Sequence, residues 1–229
     1  MPQNSGRHLH QPATLKRAMP AIIFTIGHSN HSPEHFLALL RQHAVSALCD
    51  VRSHPYSQRY PQFNREELKE SLRPHDIKYV FLGKELGARS EDPSCYDRGK
   101  ISYERLAQTS LFRQGLDRVQ EGAKTHRVAI MCAEKEPTEC HRTILVARHL
   151  AACGLEIHHI LADGMIETHS DALRRMANHL NLRANELHLF CSPDDLLNEA
   201  YRLQEQRIAY EPEESTSPDD IPTLKSAAS

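Results

Sequence analysis

The stretch Cys132-Ala133-Glu134-Lys135-Glu136-Pro137-Thr138-Glu139-Cys140-His141-Arg142 gathers two thiols, an imidazole, several carboxylates and a guanidinium within eleven residues. A thiolate is a strong nucleophile, but a free thiol is mostly protonated at neutral pH, so its surroundings decide its reactivity. Pro137 and Thr138 read as the entry to a helix, with Thr138 as N-cap and Cys140, His141 and Arg142 in its first turn. A helix N-terminus and neighbouring cations both favour the thiolate. The expectation is therefore a nucleophile at Cys132 or Cys140 and a proton carrier at Glu134 or His141. Arg142, with Arg52 from another segment, would clamp an anion.

Two alternatives use the same residues. Cys132, Cys140 and His141 are zinc-ligand types, and His28 or Glu134 would complete four donors. Their spacing matches none of the usual two-plus-two zinc patterns. The structural alternative makes the cysteines small buried hydrophobes. It fits Cys49 and Cys153, which fall inside a strand and a helix, better than it fits Cys132 and Cys140.

Other polar segments follow apolar runs. Gly27-His28-Ser29-Asn30 is a turn in which His28 and Ser29 would face a ligand. In Asp50-Val51-Arg52-Ser53-His54-Pro55, alternation puts Asp50 and Arg52 on one face, where they pair or grip a ligand. Tyr56, Arg59, Tyr60, Phe63 and Arg65 interleave aromatics with cations, which suits a phosphate- or base-bearing ligand. A proline-pinned surface loop explains the same residues. Leu82-Gly83-Lys84-Glu85-Leu86-Gly87-Ala88-Arg89 either presents amides to an anion or needs positive φ at its two glycines. His159 and His169 are candidates for a pocket rim.

These segments need a scaffold. Apolar runs Ile22–Ile26, Ala47–Val51, Ile77–Leu82, Val128–Cys132 and Leu155–Leu161 alternate with amphipathic stretches at roughly 33–43, 64–74, 103–121, 139–153, 167–180 and 194–207. Ser32-Pro33-Glu34 and Ser192-Pro193-Asp194-Asp195 are helix starts, and Gly154 is a helix stop. Alternation of this type predicts an α/β fold: a three-layer domain with a mainly parallel sheet of about five strands and a C-terminal helical extension after about residue 165. Such sheets bind ligands beyond the carboxyl ends of their strands, where the polar segments fall.

The chain has 229 residues, 39% hydrophobic and 25% charged, enough for a packed core. Its apolar runs fall far short of the ~20 residues of a membrane helix, so no membrane partner is expected. Six cysteines in a chain of this length are too sparse for a secreted disulfide scaffold, which favours a reducing cytoplasm. The net charge is −2, but Arg7, Lys16 and Arg17 make residues 1–18 basic, and five acids against Lys225 make 211–229 acidic. The intervening chain is nearly neutral, which argues against duplex DNA held by counterion release. The expected organisation is a flexible extension at 1–18, one α/β domain at 19–210 and a disordered acidic tail at 211–229. Met19 stands where the domain begins and could be an alternative start.

Five ordered motifs carry a resemblance: Thr25-Ile26-Gly27-His28-Ser29; Asp50-Val51-Arg52-Ser53 with Pro55 and Ser57; Leu82-Gly83 with Leu86-Gly87; Cys132-Ala133-Glu134 with Cys140-His141-Arg142; and His159-Ile160 with Asp163-Gly164 and His169. Over about residues 21–170 the chain resembles the family catalogued as domain of unknown function 488. Ala88 stands where that family usually has a second glycine. The resemblance implies a compact α/β domain whose motif positions form one site, and it implies no activity. A looser similarity is to rhodanese-like sulfurtransferases, which also have an early Asp-Val-Arg and a strand-tip cysteine. Their catalytic loop is shorter than the ten positions from Cys132 to Arg142. The leading expectation is an enzyme acting by thiol chemistry on a small anionic or phosphate-bearing substrate. The alternatives are a non-catalytic nucleotide or single-stranded nucleic-acid binder, using Arg52, Arg59, Tyr56, Tyr60 and Phe63, and a structural zinc site. No other cofactor is implied.

Overall fold

The computed structural model describes residues 21–182 and 192–212. The expected extension at 1–18, the start at Met19 and nearly all of the 211–229 tail lie outside the described residues. In chain order the elements are β1 (Ile22–Gly27), α1 (Pro33–Gln42), β2 (Ala47–Asp50), α2 (Arg65–Leu72), β3 (Lys78–Phe81), α3 (Gly83–Leu86), β4 (Tyr96–Asp97), β5 (Lys100–Ile101), α4 (Tyr103–Gln108), α5 (Ser110–Ala123), β6 (Val128–Cys132), α6 (Arg148–Ala152), β7 (Glu156–Ile160), β8 (Ile166–Thr168), α7 (His169–His179) and α8 (Pro193–Ile208).

The fold is mixed α/β. Six strands form one sheet in the order β3-β2-β6-β1-β7-β8, parallel except for β8, and β4 and β5 make a small separate hairpin. Successive strand residues point to opposite faces, and both faces are covered. On one side Phe24, Ile26, Leu48, Met131 and Ile160 pack against Phe36, Leu39 and Leu40 of α1 and Leu68 and Leu72 of α2. On the other, Ile23, Cys49, Val51, Ile130 and Ile157 meet Phe112, Leu116 and Val119 of α5, Leu150 of α6, Met176 of α7 and Tyr201 of α8.

Several expected boundaries shift. A sixth strand, β8, pairs antiparallel with β7 and takes the start of the expected 167–180 helix. The expected helix 103–121 is two helices, because the Thr109 side chain caps a new start by accepting from Phe112 N. Ser32 and Ser192 cap α1 and α8 as expected, and Gly154 has φ +84°. Gly83 and Gly87 do not have positive φ. A Cβ on Gly83 would lie 2.0 Å from Arg52 O, and one on Gly87 2.4 Å from Ser53 Oγ, so both glycines let α3 press against the end of β2. No described helix is long and apolar enough to cross a membrane.

The sheet order creates one crevice. From β1 the chain passes through α1 on one face to β2; from the adjacent β6 it passes through α6 on the other face to β7. Neighbouring parallel strands whose helices leave to opposite faces open a cleft at their carboxyl ends. His28 N donates to Cys132 O at 2.9 Å, Ser29 N to Ala133 O at 2.8 Å and Val51 N to Met131 O at 3.0 Å, which ties the strand ends into one floor.

His159 and His169 do not reach that crevice. Thr25 Oγ1 and His159 Nδ1 are 2.7 Å apart, His159 Nε2 and His169 Nδ1 3.1 Å, and His169 Nε2 and Tyr201 Oη 3.0 Å. This buried chain joins β1 and β7 to α7 and α8. Burial pushes His169 down to about 4 and His159 well below its ordinary value, so the folded protein keeps both rings neutral. The unfolded chain takes up these protons first, near pH 6.5. Stability is therefore full above about pH 6.5 and falls as pH drops toward 4. The His169 contribution alone is on the order of 3 kcal/mol. Urea midpoints measured from pH 7.5 to 4.5 should decline over that window, and His169→Gln should flatten the decline while lowering the midpoint at pH 7.5.

Candidate functional site

The crevice is a pocket of about 310 Å³ whose floor carries Cys132, Glu134, Cys140 and His141. Cys132 ends β6. The expected helix over Cys140–Arg142 forms otherwise: Pro137–Glu139 is a short 3-10 turn capped by the Glu136 side chain, not by Thr138. Cys140 is then extended, at φ −137° and ψ 140°. Arg142–Ala147 continues as a π-helical turn before α6. Cys140 caps that helical segment: its carbonyl accepts from Thr143 N at 3.0 Å and Ile144 N at 3.1 Å, and its Sγ accepts from Arg142 N at 3.5 Å. Side chains supply the rest of its environment.

Glu134 Oε2 accepts from the Cys140 thiol at 2.8 Å. His141 donates from Nε2 to Val51 O at 3.1 Å, which leaves its neutral Nδ1 as an acceptor 3.6 Å from Cys132 Sγ and 4.0 Å from Cys140 Sγ. Burial alone would raise Cys140, but the hydrogen bond from Cys132, the Arg142 guanidinium and His141 outweigh it and hold this thiol well below the ordinary thiol range. Cys132 is driven the other way, well above that range, by its hydrogen bond to Cys140 and by burial. Burial and the nearby Cys140 also raise Glu134, which makes it a better proton acceptor. His141 is raised despite its burial by Cys140, Glu134 and the Val51 carbonyl. The two thiols are therefore inequivalent: their surroundings favour the thiolate at Cys140 and oppose it at Cys132.

Arg142 is not a clamp facing the pocket. Its side chain is fully buried, and Nη1 donates to Glu134 O at 2.6 Å and Nη2 to Lys135 O at 3.3 Å. Among the described residues no carboxylate pairs with it, and its Nε has no partner. Gly27 makes this arrangement fit: a Cβ there would stand 1.9 Å from Glu134 O. The glycine serves close approach within a strand and not a sharp turn.

Arg52 is largely committed to the fold. It grips Asp50 through Nε to Oδ1 at 2.9 Å and Nη2 to Oδ2 at 2.6 Å, and it donates to Phe63 O at 2.8 Å. Of the two expected uses of Asp50 and Arg52, pairing is the one realised; Tyr79 Oη also donates to Asp50, at 2.8 Å. Arg52 Nη1 donates to His28 Nε2 at 3.2 Å while His28 Nδ1 donates to Ser29 O at 2.9 Å, so His28 is a neutral ring with both nitrogens engaged. Burial and Arg52 push it down to about 4. Ser29 sits half-buried in left-handed backbone, φ 48°, on an adjoining hollow of about 470 Å³ with Tyr56, Tyr60 and Lys135. Arg59 is exposed over the Tyr60 ring, away from the thiols. Phe63 is buried and stacked on His28, so it offers no platform for a base.

Among the described residues, Cys132, Cys140 and His141 alone bring three metal-type donor atoms within 4.8 Å of one another. A closed structural zinc site takes four protein donors. His28 and Glu134, the expected fourth ligands, are engaged with Arg52 and Cys140. Cys49 is buried as expected, whereas Cys153 is exposed at the end of α6.

Residues 32–149 match the family described as domain of unknown function DUF488. The chain belongs to that family. No curated protein and no solved structure matches it. The DUF488 match ends within α6, yet residues beyond it complete the site. Ile208 and Tyr210 form part of the pocket wall, Gln204 Nε2 donates to Thr138 O at 2.9 Å, and Arg175 bridges Glu136 and Glu167. Sequence reading missed these residues, together with Tyr79 and Tyr103, whereas Arg89 of the expected anion-presenting segment does line the pocket. Nothing in their local spacing distinguishes them from ordinary helix and loop positions.

Gly27→Ala should therefore cost on the order of 1–3 kcal/mol, as overpacking of a filled interior does. Urea unfolding checks this cost, and faster alkylation of the buried Cys132 by iodoacetamide reports the displaced loop.

Proposed function

We propose that this DUF488 domain is an enzyme in which Cys140 attacks a small anionic or phosphate-bearing substrate. The observation that carries the reading is the contact of Cys140 Sγ with Glu134 Oε2 on the floor of a pocket, where the buried Arg142 guanidinium favours the thiolate. Glu134 holds the proton that Cys140 gives up, and the thiolate then forms its bond to the electrophilic centre. The same carboxyl then returns a proton to the leaving group, as a general acid. Arg142 acts through the thiolate, as the fixed positive charge that favours it. The substrate's negative charge meets Arg89 and His54 at the pocket wall and Lys135 on the adjoining hollow.

A nucleotide is the second reading of the ligand. Tyr56 and Tyr60 on the hollow favour it, since a planar base stacks on such rings while a phosphate faces the cations. It rests on fewer residues than expected, because Phe63 is buried.

Alkylation of each cysteine by iodoacetamide from pH 5 to 9, resolved by peptide mass spectrometry, tests the thiol reading. The Cys140 rate should level off well below the ~8.5 of a free thiol, and Cys132 should stay slow throughout. Inorganic phosphate or a nucleoside monophosphate should slow Cys140 selectively. A Cys140 rate that climbs like an ordinary thiol removes the proposal, and protection that only a chelator relieves replaces it with a metal site.

A further inference from the structure

Two proton acceptors serve the two floor thiols. Cys140 faces Glu134 at 2.8 Å, and His141 Nδ1 lies 3.6 Å from Cys132 and 4.0 Å from Cys140. A single nucleophile needs only one. Their sulfurs lie within 4.8 Å of each other, and both belong to one short loop whose ends are held, by β6 at Cys132 and by the buried Arg142 just after Cys140. Both line the pocket, although Cys132 is only 3% and Cys140 only 1% exposed. A reagent that reaches them must be small. The other described cysteines lack this setting: Cys49 and Cys95 are buried apart from the pocket, and Cys153 is exposed outside the cluster.

We infer that Cys132 and Cys140 are a redox pair whose reversible disulfide, formed by hydrogen peroxide, switches off the chemistry of this pocket. The inference rests on the thiol reading above for what is switched off, but the disulfide itself rests on the paired sulfurs and their two bases. In the first step the Cys140 thiolate attacks one peroxide oxygen. The S–O bond forms, the O–O bond breaks, and the departing hydroxide takes a proton from solvent. In the second step Cys132 gives its proton to His141 and attacks the Cys140 sulfur. The S–S bond forms and the S–O bond breaks, and the departing hydroxide leaves as water with the proton from His141. Each sulfur loses one electron and the peroxide gains two. A dithiol reductant reverses the change.

Trypsin provides a direct readout, because it cuts after Arg127, Lys135 and Arg142 and so separates the two cysteines into Val128–Lys135 and Glu136–Arg142. The full chain is treated with hydrogen peroxide, blocked, digested without reduction and mapped. The expected result is these two peptides joined in most of the protein, and separated again by dithiothreitol. In Cys132→Ser the resolving thiol is gone, so Cys140 should accumulate as a sulfenic acid trapped by dimedone. Cys140→Ser should give neither linkage nor trapping. Over-oxidation of Cys140 in the wild type without linkage, or linkage through Cys153 instead, overturns the inference, and the wild-type measurement needs no variant to fold. The alkylation profile separates the two claims. A selectively reactive Cys140 without linkage leaves the enzyme reading standing, whereas linkage with an ordinary Cys140 profile leaves only the redox pair.

Discussion

A guanidinium buried with no carboxylate beside it is the constraint around which this site is arranged. Arg142 is fully enclosed between β1, β6 and the loop that follows β6, and its only hydrogen-bond acceptors among the described residues are the carbonyls of Glu134 and Lys135. Burying an uncompensated charge is costly, so the surroundings must supply negative potential. Carbonyl dipoles supply part of it. The guanidinium in turn favours the charged form of Cys140, whose sulfur also accepts from the Arg142 backbone N–H at 3.5 Å. The lowered pKa of Cys140 is thus tied to the packing of a structural arginine.

Much of the neighbouring architecture serves that arrangement. Gly27 lacks a side chain so that Glu134 O can reach the guanidinium. The Arg52–Asp50 pair neutralises the other buried cation and holds His28 neutral through Arg52 Nη1. From the far side, α7 grips Glu136 through Arg175, and α8 grips the Thr138 carbonyl through Gln204. The 134–140 loop is therefore clamped by the sheet beneath it and by two helices beyond it. A loop held from both sides keeps its side chains in place, as a preorganised site requires.

The strand–helix alternation was readable because near-continuous apolar runs, such as Val128–Cys132, belong to strands buried on both faces. Ser32 and Ser192 were readable as caps because the capping bond is local. The segment after Glu136 carries local signals that suit either a helix N-terminus or a 3-10 turn, and the structure has both in succession. The 3-10 turn takes Pro137–Glu139, and the helical segment starts after Cys140, two residues later than the expected cap at Thr138. His159 within the expected strand and His169 just beyond it suit a pocket rim by position, yet Thr25 and Tyr201 hold both rings in a buried chain.

By itself the sequence determined the three-layer α/β class and the neighbourhood of the chemistry, because hydrophobic periodicity and strand-end polarity are properties of consecutive residues. It also determined the cast: two thiols, a glutamate, a histidine and an arginine in eleven positions. Only the tertiary structure decided their parts. Which thiol ionises depends on where a guanidinium is buried, and which arginine remains free depends on whether Asp50 captures Arg52. Which residues wall the pocket depends on α8, whose Tyr210 end returns from far along the chain. Charge–charge energies and hydrogen bonds act through space, so residues remote in sequence set the pKa values and the shape of the site.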